Sequence, residues 1–204
     1  MERKAHWENI YAAKAPGGVS WYRRHLETSL SLILGTGLGT DAAVIDIGGG
    51  DSTLADDLLE NGFGDVTVLD ISAGAIAASQ KRLGEKAALV KWIEADITEA
   101  ALEAGRYDVW HDRAAFHFLT DAADRRRYAE QAARAVRTGG QLIVAAFAED
   151  GPEKCSGLDV VRYSSESMPQ EFGRSFRLIS STAESHITPF DTTQKFVYCH
   201  YQKI

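Results

Sequence analysis

The sequence predicts an α/β fold, a mostly parallel sheet layered between helices, and three observations predict it. Short β-branched runs alternate with longer alanine-rich segments from Asp41 to Phe147. The intervening segments are long enough to be crossover helices, which place consecutive strands parallel. One strand also runs directly into a glycine turn and a helix start, at Ile45-Asp46-Ile47-Gly48-Gly49-Gly50-Asp51-Ser52. At 204 residues the chain has the length for a single domain with a full α/β core.

In chain order, the first ~20 residues carry Trp7, Tyr11, Trp21 and Tyr22 and belong to no strand, so composition reads them as core cover or lid. Val44–Ile47, Val66–Leu69, Val90–Ile93, Tyr107–Trp110 and Gln141–Val144 read as strands. Ser52–Asn61, Ser72–Leu83 and Asp121–Arg137 read as helices, with Ser72 and Asp121 as N-caps and Gly139-Gly140 as a stop. Residues 148–164, with Gly151-Pro152 and Gly157, read as a long loop. Phe176–Ser181 and Lys195–His200 read as two closing strands that pair antiparallel across a long connection.

The 22 basic and 29 acidic residues give a net charge of −7, which argues against a broad nucleic-acid-binding face. Cys155 and Cys199 make neither a disulfide framework nor a zinc spacing, and no His/Asp/Glu cluster has metal-ligand spacing, so no metal is expected. The N-terminus lacks the apolar core of a signal peptide, and no apolar run approaches the ~20 residues that span a bilayer. A cytoplasmic protein without a membrane partner is expected; oligomeric state is not readable.

The glycine turn carries the chemistry. Its glycines let the backbone reverse sharply at the carboxyl end of a strand and let a ligand approach the main chain. The third glycine of a dinucleotide fingerprint is replaced by Thr53. Asp46 and Asp51 flank the turn, where they would repel a pyrophosphate but attract a ligand bearing an ammonium and a sulfonium. The second strand ends in Asp70, placed to accept from both hydroxyls of a ribose, and the third leads to Asp96. Asp96 can also cap a helix over Thr98–Glu103.

Asp46-Ile-Gly-Gly-Gly-Asp-Ser, Val68-Leu-Asp70-Ile-Ser and Glu94-Ala-Asp96-Ile resemble the first three motifs of class I S-adenosylmethionine-dependent methyltransferases. The aromatic arm and the Trp110–Thr120 segment are similar to a small stand-alone bacterial subgroup. The resemblance implies a Rossmann-like three-layer sandwich whose seven-stranded sheet is mostly parallel and ends in an antiparallel strand. It implies S-adenosylmethionine as cofactor, with Asp46, Gly48, Gly49 and Gly50 beside the methionine portion, Asp70 and Ile71 at the ribose, and Asp96 and Ile97 at the adenine. It also implies a division into a lid region (1–40), a cofactor core (41–147) and an acceptor loop with the final strands (148–204).

Trp110-His111-Asp112-Arg113-Ala114-Ala115-Phe116-His117 lies, by the same resemblance, beside the transferable methyl. His117 is then a candidate base, or else a histidine packed below the cofactor that bonds a backbone group. Asp112 is a candidate catalytic and cofactor-binding residue. Arg113 is either the ion-pair partner of Asp112 or a clamp on an acceptor carboxylate. Trp21, Tyr22, Arg162 and Tyr163 complete the expected acceptor pocket. Methyl transfer to a small molecule is the leading expectation. A protein-lysine acceptor, suggested by fourth strands ending in Asp-Lys-Gly, and a non-catalytic cofactor-binding protein are the alternatives; here Arg113 and Ala114 replace Lys-Gly.

Overall fold

The computed structural model describes residues 2–13 and 18–204; residues 14–17 of the aromatic arm lie outside the described residues. Seven strands form one sheet: β1 (Ala43–Ile47), β2 (Asp65–Asp70), β3 (Val90–Glu94), β4 (Tyr107–Arg113), β5 (Val136–Phe147), β6 (Phe176–Ile187) and β7 (Thr193–Lys203). Their order is β3-β2-β1-β4-β5-β7-β6. The first five are parallel, and β7 enters antiparallel between β5 and β6. The expected sheet with its reversed last strand is thus the one observed.

Alternation along the strands builds two cores, because successive side chains leave a strand on opposite faces. Ile45, Trp110, Leu142 and Val144 meet α5 (Ala122–Ala135) and α6 (Met168–Phe172) on one face. Val44, Val109, Ile143 and Ala145 meet α2 (Glu27–Leu34), α3 (Leu54–Glu60) and α4 (Ala73–Leu83) on the other. Every residue of β1 is buried, as a central strand covered on both faces requires. Ser72 and Asp121 cap α4 and α5 through side-chain acceptors, as expected.

Several boundaries differ from the sequence reading. β4 continues through Arg113, and α5 ends at Ala135 because Val136 already pairs with Tyr107. Gly139-Gly140 therefore lies inside β5, beside a register shift, rather than stopping the helix. β6 and β7 are joined by residues 188–192, a tight turn instead of a long connection. No helix covers Thr98–Glu103, and Asp96 caps only a turn there. The loop after β5 holds a two-residue ribbon, Lys154–Cys155 with Leu158–Asp159. Among the described residues, no helix is long and apolar enough to cross a membrane.

The strand order reverses between β1 and β4. At such a switch point the crossovers leave to opposite faces and open a crevice at the carboxyl ends of the strands. Helix α1 (Glu2–Ala13) lies at this edge. Its Glu8 carboxylate accepts from the backbone N–H of Ala73 at 2.7 Å and of Gly74 at 3.3 Å, occupying unpaired donors at the start of α4.

Candidate active site

Two adjoining cavities occupy the crevice. The larger is open to solvent, and about 770 Å³ of space lies between its walls with the open solvent included. Ile47, Leu69, Ile71 and Ile97 line it together with Asp70 and Asp96. The smaller lies against the glycine turn and Asp46. Tyr11, Trp21, Gly48 and Arg113 line both and so mark their junction.

The turn has the geometry its residues require. Gly48 has φ +66°, a left-handed value that side chains disfavour, and a Cβ there would lie 2.6 Å from the Ala115 Cβ. A Cβ on Gly49 would strike the Asp46 carboxylate, and one on Gly50 would stand 2.6 Å from Asp70 Oδ2. The Gly50 N–H donates to that oxygen at 2.9 Å, and the Ser72 N–H donates to Oδ1 at 2.8 Å. Asp70 is thereby fixed at the cavity wall with a lone pair left on each oxygen. Burial raises its carboxyl to about 6, against the two amide bonds that lower it.

Asp46 gives one oxygen, Oδ1, to His111 Nδ1 at 2.7 Å, while Oδ2 is buried with no partner among the described residues. An unpaired buried carboxylate oxygen facing a cavity fits a cationic group such as an ammonium. His111 is engaged at both nitrogens, since its Nε2 meets Ser29 Oγ at 2.8 Å. Asp96 Oδ1 accepts from the Thr98 N–H and hydroxyl at 2.9 and 2.7 Å, and Oδ2 from Arg3 Nη1 at 2.9 Å. Arg3 also reaches Asp124 at 2.5 Å, and Lys4 pairs with Glu94. Helix α1 is thus tied across the Asp96 end of the cleft. Trp7, Tyr11, Trp21 and Phe118 wall its middle, with Trp7 edge-on to Phe118 at 4.8 Å and to Trp21 at 6.0 Å.

Arg113 does not pair with Asp112. Its Nη2 donates to Glu184 at 3.1 Å, and its guanidinium lies 4.4 Å from the centre of the Phe196 ring. Burial would raise the Glu184 carboxyl, but Thr28 and Arg113 outweigh it and hold the group below its ordinary range. Asp112 is turned to the opposite face, where it accepts from Tyr128 Oη at 2.6 Å and from the Ala115 and Phe116 N–H groups. It fixes the turn at Ala114, which has φ +77°, and lines neither cavity.

His117 also lies outside both cavities, fully buried against Phe147, whose N–H donates to its Nδ1 at 3.3 Å. Burial and the Arg113 charge hold its pKa down to about 3. Its position is that of the packed alternative, a ring bonded to a backbone N–H away from both cavities. His117→Asn is expected to leave the pH profile of turnover unchanged while lowering stability by about 1–3 kcal/mol, read from thermal unfolding and initial rates.

Tyr22 lines the smaller cavity. Arg162 and Tyr163 line neither. Arg162 donates to the Gly151 carbonyl at 3.2 Å, and Tyr163 stacks on Phe116 inside the core. Sequence reasoning missed His111, Ser29, Glu184 and Arg3. The one available signal was cross-strand register, which sets Asp46 directly beside His111. Among the described residues, no group of three or more His, Cys, Asp or Glu is placed to hold a metal.

A methyltransferase domain family matches residues 44–140, the stretch from β1 into β5. The eEF1A lysine and N-terminal methyltransferase of Danio rerio is 22% identical over 148 residues, covering 71% of this chain. The chain spans about a fifth of the length of the curated relatives it matches. Among solved structures, one concerning conversion of a disulfide bond into a thioacetal group during echinomycin biosynthesis superposes with a TM-score of 0.81. It shares 17% identity, over 98% of this chain and 92% of that one. The Burkholderia thailandensis 1,6-didemethyltoxoflavin-N1-methyltransferase, with bound 1,6-didemethyltoxoflavin and S-adenosylhomocysteine, gives 0.70 at 20% identity. That match covers 99% of this chain and 89% of the other. Residues 44–140 thus match a methyltransferase domain family, and the whole chain shares its seven-stranded fold with solved methyltransferase structures.

Proposed function

We propose that this chain transfers the methyl group of S-adenosylmethionine to a small-molecule nucleophile, acting as one unit in the cytosol. The observation that carries this reading is the aromatic cleft under α1, whose middle section is walled by Trp7, Tyr11, Trp21 and Phe118 beside the glycine turn. Asp46 Oδ2 and the turn would take the methionine ammonium, Asp70 the ribose hydroxyls, and Asp96 with Ile97 the adenine. S-adenosylmethionine supplies an activated methyl, so the protein's task is to hold a nucleophile collinear with it. Such positioning is worth up to about 7–11 kcal/mol of barrier. The flat walls exclude water, and an aromatic face beside the junction favours a sulfonium.

A protein acceptor is the second reading, favoured by the activity named for the Danio rerio relative. Incubation of the full chain with methyl-labelled cofactor and cell lysate separates the two. Label in the low-molecular-weight fraction supports the first reading, and label in precipitated protein supports the second.

The raised carboxyl of Asp70 gives a pH dependence with a defined sign. Ribose hydroxyls donate to the ionised carboxylate, so cofactor affinity should be full above about 6 and decline as pH falls through it. Asp70→Asn should weaken binding by about 1.5–3 kcal/mol and flatten this dependence in calorimetric titrations across pH. A wild-type affinity constant from pH 5 to pH 8, a range on the order of one to two units either side of that value, would remove Asp70 from the ribose.

A further inference from the structure

Arg113 is a buried cation whose donors are not all matched. Its side chain is about 5% exposed. Nε donates to the Tyr198 hydroxyl at 3.0 Å, Nη1 to the Trp21 carbonyl at 3.2 Å and Nη2 to Glu184 at 3.1 Å. A guanidinium has five N–H groups, so one on each terminal nitrogen has no acceptor among the described residues. Glu184 does not balance the charge alone, because its other oxygen faces Arg23 Nη1 at 3.5 Å. Arg23 also meets Glu27 at 3.3 Å, so the two guanidiniums face two carboxylates. It is the terminal N–H groups of Arg113 without acceptors among the described residues, beside the cleft, that suit a further anion.

The position of Arg113 indicates which anion. Arg23 lines only the smaller cavity, beside the glycine turn, where a methionine carboxylate belongs. Arg113 also reaches the larger cavity at the junction. Among the described residues no imidazole lines the larger cavity, and the carboxylates that do, Asp70 and Asp96, hold neighbouring backbone and side-chain donors at the ends of β2 and β3. His111 has both nitrogens engaged, so neither is open to an acceptor's proton.

Resting on the methyl-transfer reading, we infer that Arg113 selects the acceptor: a flat aromatic molecule whose nucleophilic group arrives already ionised, as an aromatic carboxylate or thiolate. Trp7, Tyr11, Trp21 and Phe118 supply the flat walls. The acceptor's lone pair forms the bond to the methyl carbon, and the carbon–sulfur bond leaves its electron pair on sulfur. Anion and sulfonium become two neutral groups, no proton is released, and no base is required. A protonated amine would instead meet the guanidinium.

Calorimetry on the full chain saturated with S-adenosylhomocysteine tests this with benzoate, benzamide and benzylamine as probes. Benzoate should bind about tenfold or more tighter than benzamide, and benzylamine should not bind. Arg113→Lys should keep part of the preference. Arg113→Met combined with Glu184→Gln, checked for folding by thermal melting, should lose it while weakening S-adenosylhomocysteine less than benzoate. Benzoate binding that is undetectable, or no tighter than that of benzamide, overturns the inference. So does an Arg113 variant that loses S-adenosylhomocysteine while keeping the benzoate preference. Failure of the wild type to bind S-adenosylhomocysteine at all is a separate outcome, which removes the methyl-transfer reading and this one with it.

Discussion

Replacing Gly48 by alanine is expected to weaken S-adenosylhomocysteine binding by a factor on the order of 30 or more. A left-handed backbone costs a non-glycine residue about 1–2 kcal/mol. The added Cβ would also stand 2.6 Å from the Ala115 Cβ. Ala115 cannot easily yield, because its N–H is held by Asp112 at 2.8 Å. Relief of such overpacking costs a further ~1–3 kcal/mol and displaces either the β1 turn or the β4 turn, both of which line the cavities. Titration calorimetry reads the affinity, and circular dichroism confirms that the variant is folded. A folded variant with wild-type affinity would show that the cofactor does not pass over this turn.

Deletion of residues 1–13 is expected to leave a folded protein with cofactor affinity reduced about tenfold or more. No residue of α1 is fully buried, so the two cores survive its loss. Yet Arg3, Trp7 and Tyr11 line the cleft, and Glu8 occupies donors at the start of α4. The ion pairs of Arg3 and Lys4 are partly exposed and individually contribute little, so the loss falls on the aromatic wall. Deletion through residue 20 is a different experiment, because Val19 is 2% exposed and belongs to the core. The expectation is therefore a lid up to Ala13 and core cover from Val19, which is buried. Thermal unfolding and cofactor titration of the shorter truncation check this. A collapse of the melting temperature would make α1 structural, and unchanged affinity would leave it without a role at the cofactor.

The contrast between legible and illegible residues follows from how far apart in sequence the contacts form. The glycine turn, Asp70 and Asp96 were readable because each sits at the end of its own strand, a local pattern of alternation followed by a turn. Asp112 and His117 lie outside both cavities, and β4 runs three residues beyond the expected Trp110. Alternation along that extension sends His111 and Arg113 to the cavity side and turns Asp112 under Tyr128 of α5. Arg162 and Tyr163 rest on the resemblance's acceptor loop, and that loop holds a two-residue ribbon at Lys154–Asp159 that no local pattern marks. Arg3 and Glu184 meet their partners Asp96 and Arg113 across 93 and 71 residues of sequence, beyond the reach of any local periodicity.

Calorimetric titration of the full chain with S-adenosylmethionine, S-adenosylhomocysteine and NAD is the most direct test of the cofactor site. Asp46 and Asp51 at the turn disfavour a pyrophosphate, and Asp46 Oδ2 has no partner among the described residues. The expected result is binding of the two sulfur nucleosides at about micromolar Kd, roughly 8 kcal/mol, with no detectable NAD binding. Binding of NAD without either sulfur nucleoside would contradict it.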